Sequence, residues 1–182
     1  DEINAGAGDD IVDGGKGFDT LLGGTGNDRL IGGIDGDDLI DGGEGDDVLD
    51  ASDSLATGFS SLILPGLGND TILGSEALWN ANLGLTVGYY NVGHVGGITV
   101  NVGENGTGTV VSGDARITDT FTFADIFVGT LGSDVFYGSD TSGDLSREEG
   151  FVVYGGSSNE VYGDGGHDII SYAVLDYDSI TF

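Results

Sequence analysis

Along residues 5–50 a buried-type aliphatic residue returns at a fixed interval: Val12, Leu21, Leu30, Ile40 and Leu49. Each stands two places after an Asp: Asp10, Asp19, Asp28, Asp38 and Asp47. Asp1 opens the series, so the steps between successive Asp residues are 9, 9, 9, 10 and 9. The neighbours of the aliphatic residue vary: Ile11 and Asp13, Thr20 and Leu22, Arg29 and Ile31, Leu39 and Asp41, Val48 and Asp50. A constant centre with variable flanks predicts a strand of about three residues, its middle side chain inward and its flanks toward solvent.

Glycines occupy the places before each Asp, giving a Gly-Gly-x-Gly-x-Asp-x-apolar-x nonapeptide. A glycine-rich turn plus one short strand reverses the chain, so two nonapeptides make one coil. A short fixed period of this kind predicts a solenoid, each unit stable only when stacked on its neighbours. Residues 18–19 apart then lie above one another. Asp10, Asp28 and Asp47 form one column, and Asp1, Asp19 and Asp38 the opposite one. The extra residue at Ile34-Asp35 lengthens one turn without changing the strand phase.

After Asp50 the pattern fades, with one recognisable repeat at GLGNDTIL (66–73), around Asp70. Residues 77–128 are rich in Val, Ile, Thr, Tyr and Phe between glycines and predict longer strands with short turns. Only SEALWNANL (75–83) predicts a helical turn or two. The nonapeptide returns at GTLGSDVFY (129–137), with Asp134 in the Asp place, at GGSSNEVY (155–162), with Glu160 there, and at GDGGHDIIS (163–171), with Asp168 there. Residues 139–151 read as a polar loop insertion. The organisation expected is a roll over 1–50, a β-rich intervening segment over 51–128, a second and degenerate roll over 129–171, and the start of a further unit at 172–182. Tyr172 followed by Ile180-Thr181-Phe182 echoes Tyr90 followed by Ile98-Thr99-Val100, at an offset of 82. That echo, and an Asp1 already at the Asp place, predict a piece of a longer protein. The fold class expected is all-β: a parallel β-roll, or β-solenoid, with a β-rich intervening segment.

The 32 Asp and Glu against 4 Lys and Arg leave a formal charge of −28. Phosphate backbones and anionic membrane surfaces are repelled by such a chain, so nucleic acid is not an expected partner. No apolar run is long enough for a membrane span. With no Cys, disulfides and thiolate metal sites are excluded. High charge and 37 Gly point toward disorder, whereas the regularly placed 38% of hydrophobic residues points toward a fold. A chain disordered without a ligand and folded with one satisfies both.

The repeat predicts which ligand. Stacked strands lie about 4.8 Å apart. Two carboxylates at that spacing repel by about 1 kcal/mol in bulk water and about 3.5 kcal/mol at an effective dielectric of 20. A cation between them reverses the sign. Carboxylates and glycine carbonyls are hard oxygen donors, and many flexible carbonyls favour Ca²⁺ over the strictly octahedral Mg²⁺. Alternate carbonyls of an extended turn point to opposite sides, so places 2 and 4 serve one ion with the Asp at place 6. The predicted sites lie between Asp10 and Asp28, Asp28 and Asp47, and Asp19 and Asp38. Their carbonyls come from Gly6, Gly8, Gly15, Gly17, Gly24, Gly26, Gly33, Gly36, Gly43 and Gly45. At least about three ions are expected. Asp70, Asp134 and Asp168 are weaker candidates, in single or damaged repeats.

Residues 5–50 resemble the repeats-in-toxin (RTX, haemolysin-type calcium-binding) β-roll. Residues 90–171 also resemble a segment of large bacterial RTX proteins, with a Tyr, an Ile98-Thr99-Val100-Asn101-Val102 strand, and the run from Asp119 to Asp134. The resemblance implies a parallel β-roll with Ca²⁺ in the turns. It also implies type I secretion from a Gram-negative bacterium, with folding outside the cell where calcium is plentiful. The function expected is a calcium-binding structural module of a secreted or cell-surface protein, its partners being calcium and neighbouring repeats of the same chain. Two alternatives stay open: an accessory domain of a secreted protease, lipase or polysaccharide epimerase, and a module that binds a glycan or cell-surface ligand. An enzyme is not expected. His94 and His167 are the only histidines, and no HExxH or G-x-S-x-G motif occurs. Trp79, Tyr89, Tyr90, Phe121, Phe123 and Phe127 are expected in the core rather than on a sugar-stacking platform.

Overall fold

The computed structural model describes residues 1–34, 36–52, 61–81, 85–93, 95–103, 106–139, 148–154, 158–163 and 167–173. Two sheets run through them. The first holds, in spatial order, β1 (Glu2–Ala7), β3 (Thr20–Thr25), β5 (Leu39–Glu44), β7 (Leu62–Leu67), β9 (Leu85–Gly88), β13 (Ala124–Val128), β15 (Glu148–Tyr154) and β17 (His167–Ala173). The second runs from β16 (Glu160–Tyr162) through β14 (Val135–Tyr137), β10 (Ile98–Val102), β11 (Thr107–Ser112), β12 (Thr118–Thr122), β8 (Thr71–Leu73) and β6 (Val48–Asp50) to β4 (Arg29–Ile31) and β2 (Ile11–Asp13). Odd and even strands of the first eight alternate between the sheets, as a two-faced parallel roll requires. The roll predicted from the nonapeptides is therefore present, and both sheets continue past residue 50.

Register follows the predicted stacking. Leu21 pairs with Ile40 and Ile40 with Ile63; across the roll Val12 pairs with Leu30 and Leu30 with Leu49. These side chains point inward and are buried. Further along, the inward positions are taken by aromatic rings: Phe121 lies 4.8 Å from Phe127 between centroids, and Phe136 lies 5.2 Å from Phe151. Gly108 pairs with Phe121, and a Cβ there would run into the ring edge. The larger rings fill the section where β11 runs antiparallel to its neighbours β10 and β12. Among the described residues all other pairs are parallel.

Several details differ from expectation. The even strands of the regular roll have the short length predicted, but β1, β3, β5 and β7 have six residues and run on into the turn, through Ala5-Gly6, Gly23-Gly24, Gly42-Gly43 and Pro65-Gly66. Glycines of successive coils pair in register there, Gly6 with Gly24 and Gly24 with Gly43, so the ladder continues where no side chain is present. Asp50, expected at a solvent-facing flank, is buried. Its carboxylate accepts from Arg29 at 2.7 Å and from the Ser52 hydroxyl at 2.6 Å. The helical turn is α1 (Glu76–Asn80). Tyr89, Phe121 and Phe127 are in the core as expected, whereas Tyr90 is 38% exposed. Of the polar insertion expected at 139–151, residues 148–151 instead open β15 and Phe151 is buried; residues 140–147, His94 and the segment from 174 onward lie outside the described residues.

Candidate metal centre

The Asp residues stack as two columns, and each carboxylate reaches toward the coil before it. Asp28 Oδ1 accepts the Asp10 amide at 2.8 Å, Asp47 Oδ1 the Asp28 amide at 2.8 Å, and Asp70 Oδ1 the Asp47 amide at 2.8 Å. In the opposite column Asp38 Oδ1 accepts the Asp19 amide at 3.0 Å, and Asp19 Oδ1 accepts from the Asp1 nitrogen at 2.6 Å. Ser61 takes the next place in that column, its hydroxyl accepting the Asp38 amide at 3.1 Å. The inward direction comes from strand alternation. Asp at place 6 and the apolar residue at place 8 share a face.

One oxygen each of Asp19, Asp28, Asp38, Asp47 and Asp70 is thus used. Oδ2 of Asp10, Asp19, Asp28, Asp47 and Asp70 is buried without a hydrogen-bond donor. Asp19, Asp28 and Asp47 are at most 2% exposed. A buried charged oxygen with no partner is costly, and five at repeating positions call for a common ligand.

The glycine turns supply the other side of each gap. An ideal Cβ on Gly23 would lie 2.5 Å from the Gly42 carbonyl oxygen of the following coil and 2.6 Å from Asp28 Oδ2. Gly14 shows the same arrangement, with Gly32 O at 2.6 Å and Asp19 Oδ2 at 2.8 Å. Place-1 carbonyls therefore point back toward the preceding coil. Place-2 and place-4 carbonyls point the other way: those of Gly6 and Gly8 meet Gly24 and Gly26, those of Gly15 and Gly17 meet Gly33 and Gly36, and those of Gly24 and Gly26 meet Gly43 and Gly45. Gly43 and Gly45 in turn meet Gly66 and Gly68. The carbonyls of Gly33 and Gly36 belong to a turn whose following neighbour falls largely in 53–60, outside the described residues. No three His, Cys, Asp or Glu side chains converge on a point among the described residues. The donors in each gap are instead carboxylate oxygens together with carbonyls, the hard set that Ca²⁺ takes.

Burial moves these acids. It lifts the Asp47 carboxyl to about 6, against the hydrogen bond from the Asp28 amide, and the Asp28 charge pushes the same way as burial. Burial also raises Asp38 and Asp134. Asp70 and Asp119 are both raised by burial, and at Asp70 repulsion from Asp119 adds to it.

Asp119 belongs to the first column and was not singled out as a ligand from sequence. Its Oδ1 accepts the Asp70 amide at 2.9 Å across a 49-residue separation, and its Oδ2 accepts the Tyr89 hydroxyl at 2.7 Å. Asp119-Thr120-Phe121-Thr122 has the Asp-x-apolar-x tail of the repeat without its glycine turn, and that tail is the signal that could have found it. Asp134 is also satisfied by the protein: Oδ1 accepts from the Ile98 amide at 2.9 Å and the Thr130 hydroxyl at 2.8 Å, and Oδ2 from the Thr130 amide at 2.9 Å. Asn159, not Glu160, holds the Asp place in the repeat after it, because its Oδ1 accepts the Asp134 amide at 2.7 Å. Glu160 lies one residue on, exposed, and accepts the Tyr162 hydroxyl at 2.8 Å. The backbone of Asp168 pairs with Glu149, and its side chain lies outside the described residues.

A parallel roll whose glycine turns stack carboxylates against carbonyls defines a class of calcium-binding repeat folds. The family model for the RTX calcium-binding nonapeptide repeat matches this chain in four copies, at residues 1–21, 22–54, 119–141 and 152–172. These cover more than half of the 182 residues, and the chain belongs to that family. Its repeats are calcium-binding structural units. A search of curated proteins finds no match to the chain.

Proposed function

We propose that calcium occupies four gaps of this roll: between the turns of Asp10 and Asp28, Asp28 and Asp47, Asp47 and Asp70, and Asp19 and Asp38. The observation that carries the reading is the row of buried Oδ2 atoms without donors beside converging glycine carbonyls. In the Asp28–Asp47 gap the ion is held by Asp28 Oδ2 and by the carbonyls of Gly24, Gly26 and Gly42. Asp28 borders two gaps: its Oδ2 is a ligand in the Asp28–Asp47 gap, and its Oδ1 holds the Asp10 amide at the edge of the Asp10–Asp28 gap. Asp134 is left to its own protein donors, and Asp168 remains a candidate of the last repeat.

The module works by coupling calcium to folding. In a calcium-poor cytosol the columns repel and the chain stays unfolded, ready for export. Outside the cell, calcium turns the repulsion into cohesion, and the roll becomes a rigid part of a larger extracellular or cell-surface protein of a Gram-negative bacterium. Calcium binding by equilibrium dialysis tests the residue assignment. Asp28→Ala is expected to weaken binding about tenfold or more, a loss of ~1.4 kcal/mol or greater, whereas Asp13→Ala, on an exposed flank, leaves it unchanged. Equal affinities for the two variants contradict this stacking register.

A further inference from the structure

The Asp column does not stop where the glycine turns stop. It runs one coil further, to Asp119, and there the surroundings change. In place of a glycine turn the following coil brings Arg116 and Ile117 over the Asp70 turn, with Gly68 bridged to Ile117. The Gly68 amide donates to the Arg116 carbonyl at 3.0 Å. The Gly68 carbonyl, at place 4, accepts the Thr118 amide at 3.0 Å. Asp119 Oδ1 takes the Asp70 amide, and Asp119 Oδ2 takes the Tyr89 hydroxyl. Of these oxygens only Asp70 Oδ2 is left open. With the Gly68 carbonyl engaged and no glycine turn on the following coil, this gap lacks the place-4 and facing place-1 carbonyls of the intact gaps and falls further short of the six to eight ligands Ca²⁺ takes.

We propose that Tyr89 ends the calcium column: its hydroxyl takes on Asp119 the place that a cation takes on the carboxylates of the preceding coils. The ring is fully buried at the end of β9, in the first sheet, while Asp119 sits in β12, in the second. The hydrogen bond therefore also ties the two sheets together beside the point where the parallel roll meets the antiparallel strands. Asp134 shows the same solution by other means, with the Thr130 hydroxyl and amide filling its oxygens. Tyr89 is on this account a positioning residue that sets how far the metal sites extend. The inference rests on the calcium reading above.

Calcium stoichiometry of the full chain decides it, measured for the wild type, Asp47→Asn and Asp119→Asn. Asn keeps an acceptor for the Asp70 amide and a donor for the Tyr89 oxygen. Asp119→Asn is expected to bind as many ions as the wild type, and Asp47→Asn fewer. In the calcium-loaded protein Tyr89→Phe is expected to lower the thermal midpoint by about 5 °C, because one buried carboxylate oxygen loses its donor. Adding Asp119→Asn to Tyr89→Phe removes the stranded charge and is expected to restore most of that loss. Should Tyr89→Phe fail to fold, the Asp119→Asn count decides alone. Loss of an ion in Asp119→Asn, or a Tyr89→Phe protein as stable as the wild type, overturns the role of Tyr89 and leaves the calcium reading standing. A wild type that binds no calcium overturns both.

Discussion

Asp28 and Gly43 show what single residues do in this roll. Asp28 gives one oxygen to the amide of the coil before it and keeps the other buried and open. Gly43 combines a φ of +102° with the Gly24 carbonyl lying where its Cβ would be. Gly15 has a similar φ of +95° and nothing near its Cβ direction. The two glycines separate strain from crowding. Gly15→Ala is expected to cost about 1–2 kcal/mol for the left-handed backbone alone. Gly43→Ala is expected to cost clearly more, because the stacked carbonyl must move and with it a calcium donor. Urea unfolding of the calcium-loaded variants measures both, and equal losses contradict the close approach of the turns.

Strands and turns were legible where the nonapeptide is intact. Its period gave the coil, the register and the two Asp columns, because stacking in a solenoid turns sequence distance directly into spatial distance. Legibility fell where a role persists without its usual neighbours. Asp119 keeps its column place although a hairpin has replaced the glycine turn, and Asn159 was passed over for the more acidic Glu160. The length of β3 and β5 was hidden because glycine reads as a turn, while ladder hydrogen bonds need only backbone. The core column predicts its own hierarchy. Leu30 is fully buried between Val12 and Leu49, so Leu30→Ala is expected to cost about 3 kcal/mol. Arg29, one residue away on the outer face, is paired with Asp50. Asp50 keeps the Ser52 hydroxyl and amide as donors, so Arg29→Ala is expected to cost about 1 kcal/mol or less. Thermal or urea unfolding of the two variants reads the difference directly.

At the scale of the molecule, charge and fold oppose one another until a cation intervenes. The Asp47 carboxyl is held at about 6, above its ordinary value of 3.8, by burial first and by the Asp28 charge. Between those values the unfolded chain has released a proton that the folded chain keeps. Metal-free stability is therefore full at low pH, falls as pH rises through about 6, and stays low above it. Asp38 and Asp134, also raised, act in the same direction. Calcium binds the ionised carboxylates, so its affinity rises across the same window. The β structure that persists in chelator is expected to fall from about pH 4.5 to about pH 7, and the calcium-dependent gain to grow over that range. A gain that shrinks with rising pH contradicts carboxylate ligation.

Far-ultraviolet circular dichroism of the chelator-treated protein, titrated with calcium and separately with magnesium, tests the central claim most directly. Above about pH 7, where the carboxylates are ionised, the open columns predict a disordered spectrum in chelator and a cooperative change to β structure with calcium, which magnesium does not reproduce. A β spectrum unchanged by the chelator would mean that the roll holds together without its ions, and would contradict calcium as the determinant of this fold.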